Sequence, residues 1–382
     1  MAVGRGDELD PEEAIASAID GCRSSLAGQT PQAGMLFSAF DSFDPIILDR
    51  VREAFPGVSV MGTTSAAEIS SDGFAEDSIT LALFASDEID ISTGLGVGLG
   101  QDVDAACREA VGQALAVTTR KPRICIVLTE GFAIDPQHTL DAMARALPDG
   151  VVMVGGTSAG HDFSHVVPSY QFRDDRVAQD GVAILLLSGP VRHSMAVGTG
   201  WRPIGSPGVV TGSRYGALEE IDGRPALAFI ARYLDTTGPA TFGNPLAFVE
   251  AGVEEAYLRA IQGSDPATGA VFMGGSIPVG ASVQLTTAAS DDILTGTENA
   301  LHRAADGFPA GSPPEAALIF SCAVRQFVLG SRTRVEADLA RSVLGPTVPI
   351  AGLYCYGEIG PVRGAATSRF LNETFIALLL GT

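Results

Sequence analysis

Apolar residues along this chain gather in short runs bounded by Gly, Pro, Asp and Ser. The runs at Met35–Phe40, Ile124–Thr129 and Ala316–Ser321, and the closing run at 373–380, have the length and apolar density of buried strands. Helical spacing appears between them. Leu140, Met143, Ala144 and Leu147 recur so as to give one buried face. Asp44-Pro45 and Asp135-Pro136 mark helix starts. The aspartate oxygen accepts free backbone N–H groups, and proline has none to satisfy. A strand–helix–strand order gives parallel neighbours and the following hairpins give antiparallel ones, so the expected sheets are mixed. Further helices are expected over 102–117, Pro225–Leu234 and Thr333–Leu344, and from near Thr297.

A seven-residue pattern follows three of the apolar runs. It reads Gly62-Thr63-Thr64-Ser65-Ala66-Ala67-Glu68, then Gly155-Gly156-Thr157-Ser158-Ala159-Gly160-His161, then Gly352-Leu353-Tyr354-Cys355-Tyr356-Gly357-Glu358. The first two copies belong to a tandem duplication. Asp44 matches Asp135 at an offset of 91 residues and Gly62 matches Gly155 at 93. From Ile79 to Leu99 the match runs at 102, because the second copy has a longer loop after its heptad. The fold class expected is α/β, with mixed sheets built from repeated β-α-β-β-β units. An αββα sandwich is the favoured layering, with a related C-terminal α/β unit.

Glycines alternate through Gly94, Gly96, Gly98 and Gly100, which puts them on one face of a strand. The spacing fails the dinucleotide pattern, since positions 99 and 101 are Leu and Gln. A glycine face admits a close backbone neighbour, so packing is the expected role. Composition shifts near 202–225. The expected organisation is an acidic segment with a helix over 1–30, a duplicated domain over 31–222 (copies 33–101 and 123–201), and a second domain over 223–382.

Composition narrows the function classes. Hydrophobic residues make up 46% and charged residues 18%, a globular rather than disordered balance. The formal net charge of −21 opposes nucleic acid and anionic membranes. The apolar run from Val182 to Leu187 falls far short of the roughly 20 residues a membrane span needs, so no membrane insertion is expected. The N-terminus is acidic and has no apolar h-region, so no secretory signal is expected. Cys22, Cys107, Cys125, Cys322 and Cys355 lack metal-site spacing, and Cys107 and Cys125 are expected in the core. A cytoplasmic protein with reduced thiols is the expectation.

The C-terminal segment carries Ser321-Cys322 with Arg325, then Gly352, Tyr354, Gly357-Glu358-Ile359-Gly360-Pro361, then Asn372 with Thr374. It resembles the FIST C domain, and the N-terminal duplication, with its GTTSAAEIS, resembles the FIST N domain. The resemblance covers nearly the whole chain after about residue 30. It implies an intracellular sensory module that binds a small ligand such as an amino acid. It also implies a separate output protein as partner. No cofactor and no catalytic activity are expected.

The residues suggest how such a ligand would be held. Arg325 offers a planar fork for a carboxylate and Glu358 a carboxylate for an ammonium group. Structural pairing of Arg325 with Glu358, or with Glu336, is the competing reading. Cys322, Tyr354, Tyr356 and Gly357 are candidates for the same pocket. In an extended segment the two tyrosines share a face and Cys355 takes the other. Asn372 is expected to brace the turn. Ser65 and Glu68 are candidates for an equivalent site in the first copy.

Two alternatives stay open. Haem is one, with His161 or His165 in the long loop as the ligand, as the resemblance to nitric-oxide sensors implies. A serine hydrolase is the other, because Gly156-x-Ser158-x-Gly160 spells a nucleophile elbow. The segment after Ser158 does not read as the helix that such chemistry needs.

Overall fold

A computed structural model describes residues 1–131, 134–160, 168–214, 216–234 and 243–382. Its α-helices are α1 (Pro11–Leu26), α2 (Ile46–Ala54), α3 (Val103–Ala116), α4 (Pro136–Ala146), α5 (Ala226–Ile230), α6 (Ser290–Asp306), α7 (Ala323–Leu329) and α8 (Arg334–Leu344). Aspartates start several of them. Asp10 accepts from the N–H groups of Glu12 and Glu13, Asp102 from Ala105, and Asp135 from Gln137.

Three six-stranded sheets form the body. The first runs Ala2–Gly6, Ile79–Phe84, Ala33–Ala39, Ser59–Ser65, Gln171–Arg173, Arg176–Ala178. The second runs Arg369–Leu371, Glu358–Gly360, Val152–Thr157, Pro122–Thr129, Gly181–Ser188, Asp90–Val97. The third runs Arg192–Gly198, Phe375–Gly381, Ala316–Cys322, Ile350–Cys355, Ala67–Ser70, Gly73–Ala75. In each, the heptad strand pairs in parallel with the strand before it, and every other pairing is antiparallel. The mixed α/β class expected from the pattern is the one found.

The hairpin after each heptad leaves its own sheet. The first copy's hairpin completes the third sheet, the second copy's completes the first, and the third copy's completes the second. This cyclic exchange alters the expected layering. In place of two sheets face to face, all three turn one face to a common core that holds Phe37, Met61, Ile126, Leu185, Phe320 and Leu378. Helices cover the outer faces. α1 and α2 pack on the first sheet, α3 and α4 on the second, and α6 and α8 on the third.

The repeating unit also starts earlier than the sequence suggested. Ala2–Gly6 is an edge strand, and α1 lies against it where two glycines bring the backbones together. A Cβ on Gly4 would stand 1.9 Å from Ala18 O, and one on Gly6 1.9 Å from Ala14 O. The same device recurs at Gly94 and Gly96 against Ala110 and Ala106 of α3, and at Gly198 and Gly200 against Gly296 and Asp292 of α6. At Gly94 and Gly96 the glycine alternation is packing, as expected, and the device occurs three times; the strand ends at Val97, so Gly98 and Gly100 lie in the turn after it and not on its face. The segment 1–30 belongs to the first unit.

The third unit carries an insertion between its edge strand and α6. The chain from Arg202 to Thr287 makes a curled sheet in the order Tyr257–Arg259, Leu246–Val249, Ser282–Thr287, Arg202–Arg214, Ala217–Ile221, Ala270–Met273, Ile261–Asp265. Only Ala260 separates its two end strands, so the ladder returns to the segment where it began. Its Val210, Phe248 and Val283 join the common core. Three helices differ from expectation, the first being α5, which ends at Ile230 rather than Leu234. α6 begins at Ser290 rather than near Thr297, because Asp292 Oδ2 accepts the Ala289 N–H at 3.0 Å. α7 was not foreseen, since exposed Phe327 (64%) spoils its apolar pattern.

Candidate functional site

The three heptads converge where the sheets meet. Ala66 N–H donates to Tyr354 O at 2.9 Å and Ala159 N–H to Thr64 O at 3.0 Å. Thr157 N–H donates to Gly357 O at 2.9 Å. Each copy is thus tied by its backbone to another. At this junction a polar side chain from each crossing hairpin clamps two strand ends of a neighbouring sheet.

The first clamp is Glu68, whose carboxyl oxygens bond the hydroxyls of Ser65 and Ser78. The third is Glu358. Its Oε1 lies 3.3 Å from Cys355 Sγ, and its Oε2 accepts Thr374 N–H at 3.0 Å and Thr374 Oγ1–H at 2.7 Å. The second copy places Gln171 there; His161, which the heptad sets against Glu68, lies outside the described residues. Gln171 Nε2 donates to Ser158 Oγ at 2.8 Å and Oε1 accepts Gly181 N–H at 2.9 Å. Three backbone bonds fix the equivalence: Ala39 N–H to Ser78 O, Glu130 N–H to Gly181 O, and Cys322 N–H to Thr374 O.

Glu68, Gln171 and Glu358 are fully buried. Burial pushes Glu68 up to about 7 and Glu358 up to about 8, against hydrogen bonds that favour the charged form. Glu373, next to Thr374, is fully buried too, and neither of its carboxyl oxygens has a hydrogen-bond partner among the described residues. Burial first, then the neighbouring Glu358, holds it well above the ordinary carboxyl range. The thiols of Cys322 and Cys355 are raised by burial and by the same acid.

Arg325 lies elsewhere than a ligand clamp requires. It is fully buried, and its Nε and Nη2 both reach Glu336 Oε1, at 3.0 and 2.7 Å. Nη1 donates to Thr199 O at 2.7 Å and Glu373 O at 3.3 Å, and Nη2 to Thr297 Oγ1 at 2.7 Å. Tyr354 donates to Glu336 Oε2 at 2.8 Å. Strand alternation explains the separation. Tyr354 and Tyr356 belong to the helix-side cluster and Cys355 to the common core. The Arg325–Glu336 pairing is the one formed, and no ion pair joins Arg325 to Glu358 among the described residues.

Other candidates have structural partners. Tyr356 donates to Gly160 O at 2.8 Å. Asn372 braces a turn, as expected: Oδ1 accepts Ala260 N–H at 3.2 Å and Nδ2 donates to Tyr356 O at 3.5 Å. Cys322 Sγ points at Tyr356 O at 4.0 Å. Ser158 Oγ lies 2.6 Å from Ser169 Oγ, within the Gln171 clamp. His161 and His165 lie outside the described residues, and no cluster of three metal-ligating side chains occurs within them. No helix there is long and apolar enough to cross a membrane.

Beside the third clamp opens a cavity of about 380 Å³ that the sequence did not reveal. Thr374 and Leu371 border it on one side, Trp201 and Arg202 on another. α6 contributes Asp292, Thr295, Asn299 and Arg303, one stripe at helical spacing, and the inserted sheet contributes Glu255 and Tyr257. The stripe was not read from the sequence, which set the helix start near Thr297, beyond Asp292 and Thr295. The loop that covers it comes from more than thirty positions away in sequence and left no signal.

Residues 32–224 match the FIST N domain, and residues 226–361 match the FIST C domain. An uncharacterised protein of Mycobacterium tuberculosis is 26% identical over 390 residues, which cover 95% of each chain. An uncharacterised protein of Mycobacterium bovis is 25% identical over the same span and shares. Among solved structures, a cyanuric acid hydrolase from A. caulinodans aligns at TM-score 0.31 and 13% identity, covering 99% of this chain and 97% of that one. A second cyanuric acid hydrolase aligns at TM-score 0.35 and 9% identity, covering 99% and 98%. At those scores neither likeness bears on fold or activity here. With both of its domains matched, this chain belongs to the FIST family, whose domains are generally sensory, ligand-binding signalling domains.

Proposed function

We propose that this protein is a cytoplasmic sensor that binds a small polar metabolite of both charge signs, such as an amino acid. Binding is read by a separate output protein, and neither catalysis nor a cofactor is involved. The observation that carries the reading is the 380 Å³ cavity beside the Glu358 clamp. Its size falls within the roughly 300–1,000 Å³ of small-molecule sites. Arg202 and Arg303 offer cations, Asp292 and Glu255 offer carboxylates, and Asn299 and Thr295 offer neutral partners. Trp201 and Tyr257 add flat apolar surface. The mixture suits a zwitterion better than a simple anion or cation.

The cavity is walled by two parts of the chain that could shift against each other, the third unit and the inserted sheet. A ligand signals only if it binds two arrangements unequally. The test is a thermal-shift and calorimetry screen of the proteinogenic amino acids against the full-length chain. At a hundredfold excess over Kd, a binder stabilises by about 2.7 kcal/mol. The expected rise in Tm is lost in Arg303→Ala and Asn299→Ala, whose side chains are surface groups of α6. A panel in which no amino acid shifts Tm refutes the reading.

A further inference from the structure

Two of the three clamps are acids and one is an amide, yet all three bond alike. An amide has a fixed polarity. Gln171 gives a hydrogen to Ser158 Oγ through Nε2 and accepts Gly181 N–H on Oε1. Glu358 accepts two hydrogens from Thr374 on Oε2 and faces Cys355 Sγ with Oε1. Glu68 accepts from Ser78 on Oε2 at 2.5 Å and faces Ser65 Oγ with Oε1. A carboxylic acid with its proton on Oε1 reproduces the amide pattern at each oxygen. No Lys or Arg forms an ion pair with either acid among the described residues, and both are fully buried. A buried carboxylate without a cation is costly.

We propose that Glu68 and Glu358 stand in these clamps as neutral acids, and that release of the Glu358 proton removes the Oε1 donor facing Cys355, tightens the two bonds from Thr374, and thereby regulates the cavity that Thr374 borders. The second part rests on that cavity being the ligand site, whereas the first does not. The groups that face Glu358 are Cys355 and Cys322 of the third sheet, Glu373 from the turn before Phe375, and Arg325 of α7. Glu373 adds a second buried carboxyl, and two such groups resist a shared negative charge. Arg325 pulls the other way, but its donors are directed to Glu336 and to backbone oxygens. Asp77 faces Glu68. Both acids have folded pKa values above the unfolded one, near 7 and near 8. The stability they contribute is therefore full below the ordinary carboxyl value of 4.5, is lost as pH climbs from there, and is gone above the folded values.

The test uses the full-length chain and two isosteric variants, Glu68→Gln and Glu358→Gln, each of which copies what Gln171 already does. Infrared difference spectra at pH 6 are expected to lose one carboxylic-acid C=O band in each variant. Unchanged bands in both would mean ionised clamps and overturn the proposal. Trp201, the sole tryptophan, walls the cavity and reports on it without any ligand. Its fluorescence is expected to change with a midpoint near pH 8 in the wild type. That transition should vanish in Glu358→Gln and persist in Glu68→Gln. Its survival in Glu358→Gln overturns the regulatory part. For any amino acid that binds, Kd should change with pH about the same midpoint in the wild type and stay level in Glu358→Gln. If no amino acid binds, the ligand reading fails alone, because the infrared and fluorescence arms still decide the proton switch.

Discussion

Replacing Arg325 with methionine separates a structural arginine from a ligand-binding one. The guanidinium satisfies Glu336 twice, and also reaches Thr297 and the carbonyls of Thr199, Ile293 and Glu373. Both members of the pair are fully buried. Methionine fills much of the volume but leaves Glu336 without its cation, with only Thr297, Ser321 and Tyr354 to bond it. Breaking one side of a buried pair costs about 3–5 kcal/mol. That is a large share of a typical stability of about 5–15 kcal/mol. Urea unfolding followed by circular dichroism should show the midpoint fall with an unchanged slope. Arg325→Met with Glu336→Leu should lose less than the two single changes together, by about 2–3 kcal/mol. Arg325→Lys keeps charge without the planar fork and should fall between wild type and Arg325→Met. A loss below about 1 kcal/mol in Arg325→Met, with ligand-induced stabilisation abolished, would refute the structural assignment and return Arg325 to the ligand.

The close strand–helix contacts make a paired test. Gly96→Ala puts a Cβ 1.9 Å from Ala106 O, a backbone atom, and should cost about 3 kcal/mol or more. Gly112→Ala, in the same α3 but with nothing within 4 Å, should stabilise by about 0.5–1 kcal/mol. Ser158→Ala leaves the buried Gln171 amide without an acceptor and should cost about 1–3 kcal/mol, read by urea midpoint. The wild-type protein should not react with a fluorophosphonate probe; labelling that disappears in Ser158→Ala would revive hydrolysis. Stability of the ligand-free protein should decline as pH rises from about 4.5 and level off above about 7 and 8, and Glu68→Gln with Glu358→Gln should flatten that decline.

Local patterns were the legible part of this fold. Asp-Pro starts, the apolar runs and the alternating glycines each depend on near neighbours, and each placed an element close to where it lies. The strand Ala2–Gly6 escaped because its buried positions are Ala2, Gly4 and Gly6, which carry almost no apolar signal. The hairpin exchange escaped for another reason. Ala67–Ser70 pairs with Ile350–Cys355, and nothing in either segment names so distant a partner. The Arg325–Glu358 clamp looked plausible because both residues sit near strand ends. Which side of the sheet each occupies depends on α7, a helix the pattern did not announce.

The second copy shows how one position of register decides a site. Matched at 102 residues, the strand Ile79–Phe84 aligns with Gly181–Ser188 at its first residue and Glu68 falls on Tyr170, while the ungapped heptad, at 93, sets Glu68 against His161. In the structure Phe37 opposes Thr80 and Leu128 opposes Ala183, so this strand is displaced by 103. A slip of one residue exchanges the buried and outer faces of a strand. The same 103 carries Glu68 onto Gln171, whose bonds to Ser158 and Gly181 repeat those of Glu68 and Glu358. The edge strands keep 102, since Thr93 and Met195 hold equivalent places beside Leu185 and Leu378. One residue therefore lies between the two strands of the first copy that has no counterpart in the second, and it hid the amide that reveals the protonation of the other two clamps.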